Sequence, residues 1–156
     1  RFWDRRTNTV AQRLQTNGDV RYCQPTLDGS VLSVSTTGKE VSFYNTADMS
    51  LIKTFTMPRE IDCLSYDPVH QRFVTGSSTE LWVRCYDFVT GAEISCNKGH
   101  HGPVRSLAFT PSFDNYASGS EDGTIRIWSW AGIEEQMANI KLNGSKEQNE
   151  RAVEKK

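Results

Sequence analysis

Three residues in the second half of the chain have the side chains that nucleophilic catalysis uses: His100, Ser118 and Asp122. A histidine can take the proton of a serine hydroxyl, while a carboxylate holds the imidazole in place and stabilises its positive charge. These residue types in one stretch could therefore form the catalytic triad of a hydrolase.

The sequence around these residues does not favour a hydrolase. The chain contains no Gly-x-Ser-x-Gly segment, the turn that exposes the serine of many hydrolases. No arrangement of backbone donors for an oxyanion can be recognised either. A hydrolase that uses Ser118 and His100 is therefore the less favoured alternative, and the sequence assigns no catalytic residue.

The candidate residues lie among three short predicted strands joined by two turns. One apolar run ends at Phe109, a second covers Tyr116–Ser120, and a third covers Ile125–Trp128. Pro111 marks the first turn. The second turn contains Asp122-Gly123, an Asp-Gly pair that is typical of hairpins because glycine accepts a positive φ.

The same pattern recurs along the chain, and this repeat is the strongest signal in the sequence. Each unit ends in an aromatic residue, at Trp3, Tyr44, Tyr86 and Trp128, with separations of 41, 42 and 42 residues. In the last three units the positions one and three before the aromatic are apolar and the position between them is polar. Such alternation indicates a strand, and a period of about 40–45 residues is typical of propeller blades.

The segment from Gly99-His100 to Trp128 resembles the WD repeat in its Gly-His opening and its closing tryptophan. The resemblance implies an all-β fold, a WD-repeat β-propeller. This chain would hold about three blades and part of a fourth, and the family implies seven blades in the full protein. The repeats are predicted at about residues 16–45, 57–87 and 99–129.

The two ends of the chain differ from the repeats. The chain opens on Phe2-Trp3-Asp4 without a preceding methionine, which resembles the end of a blade and predicts the C-terminal portion of a longer protein. Residues 1–130 are predicted to form the propeller part. Residues 131–156 form a charged tail with few large apolar side chains, which predicts a short helix or disorder.

The WD-repeat resemblance gives His100, Ser118, Asp122 and Trp128 a structural role. In WD repeats the histidine bonds to the aspartate and to the strand serine, and the serine bonds to the tryptophan. The residues here have the matching chemistry, because an indole only donates whereas a hydroxyl both donates and accepts. The two earlier repeats lack the network, since other residues take the positions of the histidine and the aspartate: Thr16 and Met57, and Gly38 and Thr79.

Four stretches resemble one group of WD-repeat proteins more closely. Asn97–Pro103 and Tyr116–Thr124 are similar to its last repeat, and Ile52–Phe55 and Cys85–Asp87 to the repeats before it. This is the family of serine/threonine kinase receptor-associated proteins, also called Unr-interacting proteins. The i subunits of translation initiation factor 3 are the alternative family, because their last repeat also opens with Lys-Gly-His-x-Gly-Pro.

The closer resemblance implies a scaffold without enzymatic activity, cofactor or metal. It implies a component of the survival-of-motor-neuron complex in spliceosomal ribonucleoprotein assembly, and a negative regulator of transforming-growth-factor-β receptor signalling. The implied partners are Gemin proteins and other members of that complex, Unr, the receptor and the inhibitory Smad. The implied location is the cytoplasm and the nucleus, and no partner-binding residues are assigned.

Composition narrows the function classes further. A formal net charge of −1 argues against a strongly basic surface, so no direct nucleic-acid binding is predicted. The chain has no apolar run of about 18 residues, so no membrane insertion is predicted. The four cysteines lack a Cys-x-x-Cys pair and lie in strand-like stretches, which predicts buried free thiols rather than disulfides or zinc ligands: Cys23, Cys63, Cys85 and Cys96.

Overall fold

The structure consists of antiparallel strands grouped into four sheets. It is a computed structural model that describes residues 1–130. Within that range the chain forms thirteen strands, and the strands of each sheet follow one another both in the chain and in space. The predicted all-β fold is confirmed, with successive sheets arranged as blades of a partial propeller.

The strands fall into one two-stranded sheet and three larger ones. The two-stranded sheet contains β1 (Phe2–Asp4) and β2 (Thr9–Gln12). The first blade contains β3 (Val20–Pro25), β4 (Val31–Thr36), β5 (Glu40–Asn45) and β6 (Leu51–Thr56). The middle blade contains β7 (Cys63–Asp67), β8 (Arg72–Gly76), β9 (Val83–Asp87) and β10 (Glu93–Asn97). The last blade contains β11 (Val104–Phe109), β12 (Asn115–Ser120) and β13 (Ile125–Ser129).

The three blades share one pairing register. In each, the large residue of the second strand lies opposite the aromatic residue that closes the repeat: Leu32 opposite Tyr44, Phe73 opposite Tyr86, and Tyr116 opposite Trp128. The sequence predicted these correspondences from the 41–42 residue spacing. A shift of one residue would turn every apolar side chain to the opposite face of its sheet, so the shared register fixes which residues form the core.

Two apolar cores lie between the blades. The core between the first and middle blades is aromatic: the Phe43 ring has four neighbours at centroid distances of 4.9–6.1 Å, namely Phe55, Tyr66, Phe73 and Phe88. Ring pairs at such distances add favourable contacts beyond the area they bury. The core between the middle and last blades contains mainly smaller side chains together with Tyr116 and Trp130, among them Val74, Val83, Cys85, Val104 and Leu107.

One strand begins later than the sequence predicts. The correspondence of Ile61 with Val20 and Val104 in the repeat predicts a strand over Glu60–Tyr66, but β7 begins at Cys63. The Asp62 backbone N–H still donates to the Gly76 carbonyl oxygen of β8, while the Asp62 carboxylate accepts the backbone N–H of Ser78 and pairs with Arg21 of β3.

The prediction that all four cysteines are buried is wrong for Cys23, which is exposed. Tyr22 packs against both cores and Gln24 donates to the Leu107 carbonyl oxygen, so both point towards the other blades. Because side chains alternate along a strand, Cys23 between them points away.

The predicted helix or disorder over residues 131–156 lies outside the described residues. No helix in the described part of the chain is long and apolar enough to cross a membrane. The division of the chain at residue 130 and the repeat limits stay predictions.

Candidate functional site

The four residues predicted to form a network come from four places in the last blade. His100 lies in the loop between β10 and β11, and Ser118 lies on β12. Asp122 lies in the turn between β12 and β13, and Trp128 lies on β13. The antiparallel pairing of β12 with β13 brings the last three to neighbouring positions, and the loop places His100 against them.

The Asp122 turn is shaped by its own side chain. The Oδ1 atom accepts hydrogen bonds from the backbone N–H of Thr124 at 2.9 Å and from its hydroxyl at 2.7 Å. Gly123 has a φ of +78°, which glycine adopts without steric cost. Gly102 in the facing loop also has to be glycine, because a Cβ there would lie 2.8 Å from the backbone nitrogen of Asp122.

Hydrogen bonds join the four predicted residues into one chain. The His100 Nδ1 atom lies 3.0 Å from Asp122 Oδ2, and its Nε2 atom lies 2.7 Å from Ser118 Oγ. The indole N–H of Trp128 donates to the same Ser118 Oγ at 2.7 Å. Asp122 Oδ2 also accepts the backbone N–H of His101 at 2.9 Å. The network therefore ties the inter-blade loop, the second strand, the second turn and the third strand together.

The positions of the protons follow from these contacts. Because Ser118 Oγ accepts from Trp128, its own hydrogen is available for Nε2 of His100. This assignment leaves a proton on Nδ1, which faces the Asp122 carboxylate. Hydrogen bonds from the Thr124 hydroxyl and then from the His101 backbone lower the pKa of Asp122, so this acceptor is charged at neutral pH.

These distances would also suit a Ser-His-Asp triad, but the surroundings do not. Ser118 is 1% exposed and His100 4%, and Ser118 Oγ lies between His100 and the Trp128 indole. A substrate carbonyl cannot reach that oxygen unless the blade opens. Within residues 1–130, moreover, no three His, Cys, Asp or Glu side chains converge where they could hold a metal ion.

The other two blades lack the network. In the common register Ser118 corresponds to Val34 in the first blade and to Thr75 in the middle blade. The middle blade keeps the aromatic stack without the network: Tyr86 stacks on Phe73, with ring centroids 5.2 Å apart and planes at 17°. The Tyr86 hydroxyl is buried and has no hydrogen-bond partner within the described chain.

The second turn of the middle blade is one residue longer than in the other blades. Thr75 pairs with Arg84, nine positions later, whereas Ser118 pairs with Arg126, eight positions later. Because of the extra residue, the equivalent of Asp122 depends on the strand from which one counts. Counted from β8 it is Thr79, as the sequence predicted, and counted from β9 it is Glu80.

A second polar cluster, which the sequence analysis missed, joins the middle blade to the last one. Arg72 Nε donates to Asp67 Oδ2 at 2.8 Å, and Asp67 is fully buried. A further nitrogen of Arg72 donates to the Phe113 carbonyl oxygen at 2.9 Å. The guanidinium carbon lies 3.6 Å from the centroid of the Trp130 ring, and the His70 ring bonds to Asp67 at 2.8 Å.

The sequence contained one signal for this cluster. Asp67 and Arg72 stand on the two sides of a four-residue turn, where one strand ends and the next begins. They lie opposite each other, so their opposite charges can pair. The contacts with Phe113 and Trp130 gave no such signal, since they join residues more than 40 positions apart.

Comparison with protein families identifies the same stretch that carries the network. The model of the WD domain, G-beta repeat, matches residues 91–129. This match includes β11, β12 and β13 and all four network residues.

Comparison with individual proteins extends the similarity to most of the chain. The serine-threonine kinase receptor-associated protein of Dictyostelium discoideum is 40% identical over 128 residues, which cover 82% of this chain and 43% of that protein. The protein of that name from Gallus gallus is 37% identical over 128 residues, covering 82% of this chain and 36% of its own length. The eukaryotic translation initiation factor 3 subunit I of Culex quinquefasciatus is more distant, at 27% identity over 141 residues, with 81% of this chain and 43% of that protein covered.

The chain spans less than half the length of these curated relatives. The similarities nevertheless confirm the resemblance predicted from the sequence. The chain contains a segment, residues 91–129, that the WD-repeat model matches, and it is similar, over four-fifths of its length, to the serine-threonine kinase receptor-associated proteins.

Proposed function

We propose that this chain is part of a non-enzymatic WD-repeat scaffold that binds other proteins. The observation that carries the proposal is the 40% identity, over 128 residues, to a protein named for its association with a serine-threonine kinase receptor. Propeller blades suit this function because their rigid sheets hold exposed loops in fixed positions.

The finer proposal follows the same resemblance. The protein would belong to the survival-of-motor-neuron complex in spliceosomal ribonucleoprotein assembly and would restrain transforming-growth-factor-β receptor signalling. Its partners would then include Gemin proteins, Unr, the receptor and the inhibitory Smad, and it would occur in the cytoplasm and the nucleus. The family implies a seven-bladed propeller for the complete protein.

The absence of enzymatic activity is also part of the proposal. The Ser118 hydroxyl is buried and forms hydrogen bonds with His100 and Trp128. These bonds stabilise the blade and leave the hydroxyl inaccessible to a substrate. An esterase assay on the intact protein and on Ser118→Ala tests this point. We expect no activity in either, and turnover that Ser118→Ala abolishes would overturn the non-enzymatic proposal.

Affinity purification from the source cells, followed by mass spectrometry, tests the scaffold proposal. We expect Gemin proteins and other members of the survival-of-motor-neuron complex to be recovered with the tagged protein. An unrelated WD-repeat propeller with the same tag is the matched control, because it removes proteins that bind propellers unspecifically. Recovery of initiation-factor 3 subunits in place of Gemin proteins would overturn the proposal in favour of the alternative family.

A further inference from the structure

The end of the blades opposite the His100 network contains a small cavity. This end carries the turn that follows the first strand of each blade, namely the β3–β4, β7–β8 and β11–β12 turns. The last residues of β3, β7 and β11 meet there, and the cavity between them measures about 50 Å³. We call it the distal cavity, and its apolar lining consists of Pro25, Leu27, Tyr66, Phe109 and Phe113.

Three polar side chains that line the distal cavity already form hydrogen bonds within the protein. The Ser33 hydroxyl donates to the Gln24 carbonyl oxygen at 2.8 Å, and the Gln24 amide donates to the Leu107 carbonyl oxygen at 3.3 Å. Ser65 Oγ accepts the backbone N–H of Phe109 at 3.2 Å. The cavity therefore favours an apolar occupant over one that needs new hydrogen bonds.

The size of the cavity limits what can enter. A cavity of about 50 Å³ with a largely apolar lining suits an aliphatic side chain such as that of valine. Leu27, which is 64% exposed, borders the cavity and offers further apolar surface to a chain that passes over it.

Two acidic residues adjoin lining residues of the cavity in the chain. Each of two lining residues is followed by an exposed aspartate, Leu27 by Asp28 and Phe113 by Asp114. Within residues 1–130 neither aspartate forms an ion pair. Hydrogen bonds from Thr26 and Ser30 lower the pKa of Asp28, so this carboxylate is charged at neutral pH.

The basic side chains at this end are occupied elsewhere. The Lys53 ammonium donates to the carbonyl oxygens of Phe88 and Val89, at 2.9 and 2.6 Å. Arg72 and the half-exposed His70 both contact the buried Asp67. None of these three side chains pairs with Asp28 or Asp114, so both carboxylates remain available to a ligand that approaches the distal cavity.

We propose that the distal cavity binds an extended basic segment of a partner protein, with a small aliphatic side chain in the cavity and lysine or arginine residues against Asp28 and Asp114. The proposed function supplies only the class of ligand, a protein. The cavity supplies the apolar anchor, and the two aspartates supply the preference for basic neighbours.

Fluorescence anisotropy with a labelled synthetic peptide, Gly-Lys-Lys-Val-Lys-Lys-Gly, tests the proposal on the intact protein. We expect binding that weakens with added salt, and about tenfold weaker binding when serine replaces the valine of the peptide. Leu27→Ser should weaken binding by about three- to tenfold, because it removes apolar surface without emptying the core.

Charge-neutral variants separate local recognition from general attraction. The double variant Asp28→Asn with Asp114→Asn should weaken peptide binding by about tenfold and reduce its salt dependence. Asp48→Asn is the matched control, because Asp48 bonds to Ser50 as Asp28 bonds to Ser30 but lies in a turn that does not line the cavity. The control should change the affinity less than about twofold.

Three results would overturn the proposal: no measurable binding, equal affinity for the valine and serine peptides, or equal losses in the Asp28→Asn with Asp114→Asn variant and in the Asp48→Asn control. The proposed scaffold function is judged separately. If the Asp28→Asn with Asp114→Asn variant recovers the same partner complex, the scaffold proposal holds, whatever the result of the peptide experiment.

Discussion

The middle and last blades have the same register and different interiors. Each places an aromatic ring of its third strand on the large residue of its second: Tyr86 on Phe73, and Trp128 on Tyr116, with ring planes within about 21°. Around this shared contact the last blade builds the His100 network, whereas the middle blade has Thr75 in place of Ser118 and a buried Asp67–Arg72 pair at its other end. The repeat therefore fixes the pairing and leaves the interior chemistry free to differ.

The two blades also differ in how far they are covered. Val83 and Cys85 on β9 are fully buried, but their equivalents on β13, Ile125 and Ile127, are 77% and 65% exposed. The residues have similar hydrophobicity and the same register, so the difference comes from the sheet packed against each strand. Burial in a propeller is therefore a property of neighbouring blades as much as of the sequence.

The largest expected effect in this comparison is at the ion pair of the middle blade. Arg72→Met leaves the fully buried Asp67 carboxylate without the guanidinium, and loss of one partner of a buried pair costs about 3–5 kcal/mol. The free energy of unfolding, measured by urea denaturation, should fall by that amount.

Arg105→Met is the matched control for Arg72→Met. Arg105 pairs with Glu121 at 2.6 Å, but both side chains are about half exposed, so the loss should be at most about 1 kcal/mol. Equal losses in the two variants would contradict the view that burial makes the Asp67–Arg72 pair important.

The hydrogen-bond network of the last blade should give an intermediate effect. His100→Ala removes one hydrogen-bond partner from Asp122 and one from Ser118, and it should lower the free energy of unfolding by about 1–3 kcal/mol. Asp122→Ala should also destabilise the protein. The double variant should lose less than the sum, because each single change already breaks the hydrogen bond between His100 and Asp122.

His101→Ala controls for a change in the same loop. Its side chain is exposed and only its backbone N–H reaches Asp122, so the loss should stay within about 0.5 kcal/mol. Additive losses in the His100 and Asp122 double variant would mean that the two side chains do not act as one unit. Unchanged stability with loss of a measured activity would favour the catalytic interpretation of Ser118 instead.

The comparison also shows what a sequence of this kind can predict. The spacing of Trp3, Tyr44, Tyr86 and Trp128 predicted the strand register, because alternation and period are local properties of the chain. Through its resemblance to the WD repeat, the sequence also named four side chains of the His100 network, but it missed the Thr124 hydroxyl, which contacts both Asp122 and His100. The structure adds the distances, which show that the four predicted side chains lie within hydrogen-bonding reach of one another.

Other features depended on contacts between distant segments and could not be predicted. The Phe113 carbonyl oxygen and the Trp130 ring meet Arg72 only because the last blade packs on the middle one. The exposure of Cys23 follows from which side of β3 is left uncovered, and the distal cavity exists because the ends of three inner strands meet. No spacing rule along the chain encodes these arrangements.

The smallest expected effect is at the exposed strand of the last blade, and it tests the role of neighbouring blades directly. Ile127→Thr replaces a side chain that is 65% exposed, so the free energy of unfolding of this chain should change by no more than about 0.5 kcal/mol. Val83→Thr, on the equivalent strand of the middle blade, puts a hydroxyl in a fully buried position of the same shape and should cost about 1–3 kcal/mol. Urea denaturation of both variants under the same conditions gives the two values. If Ile127→Thr proves as costly as Val83→Thr, the β13 face is covered in solution, and the difference between the two blades lies in their hydrogen bonds alone.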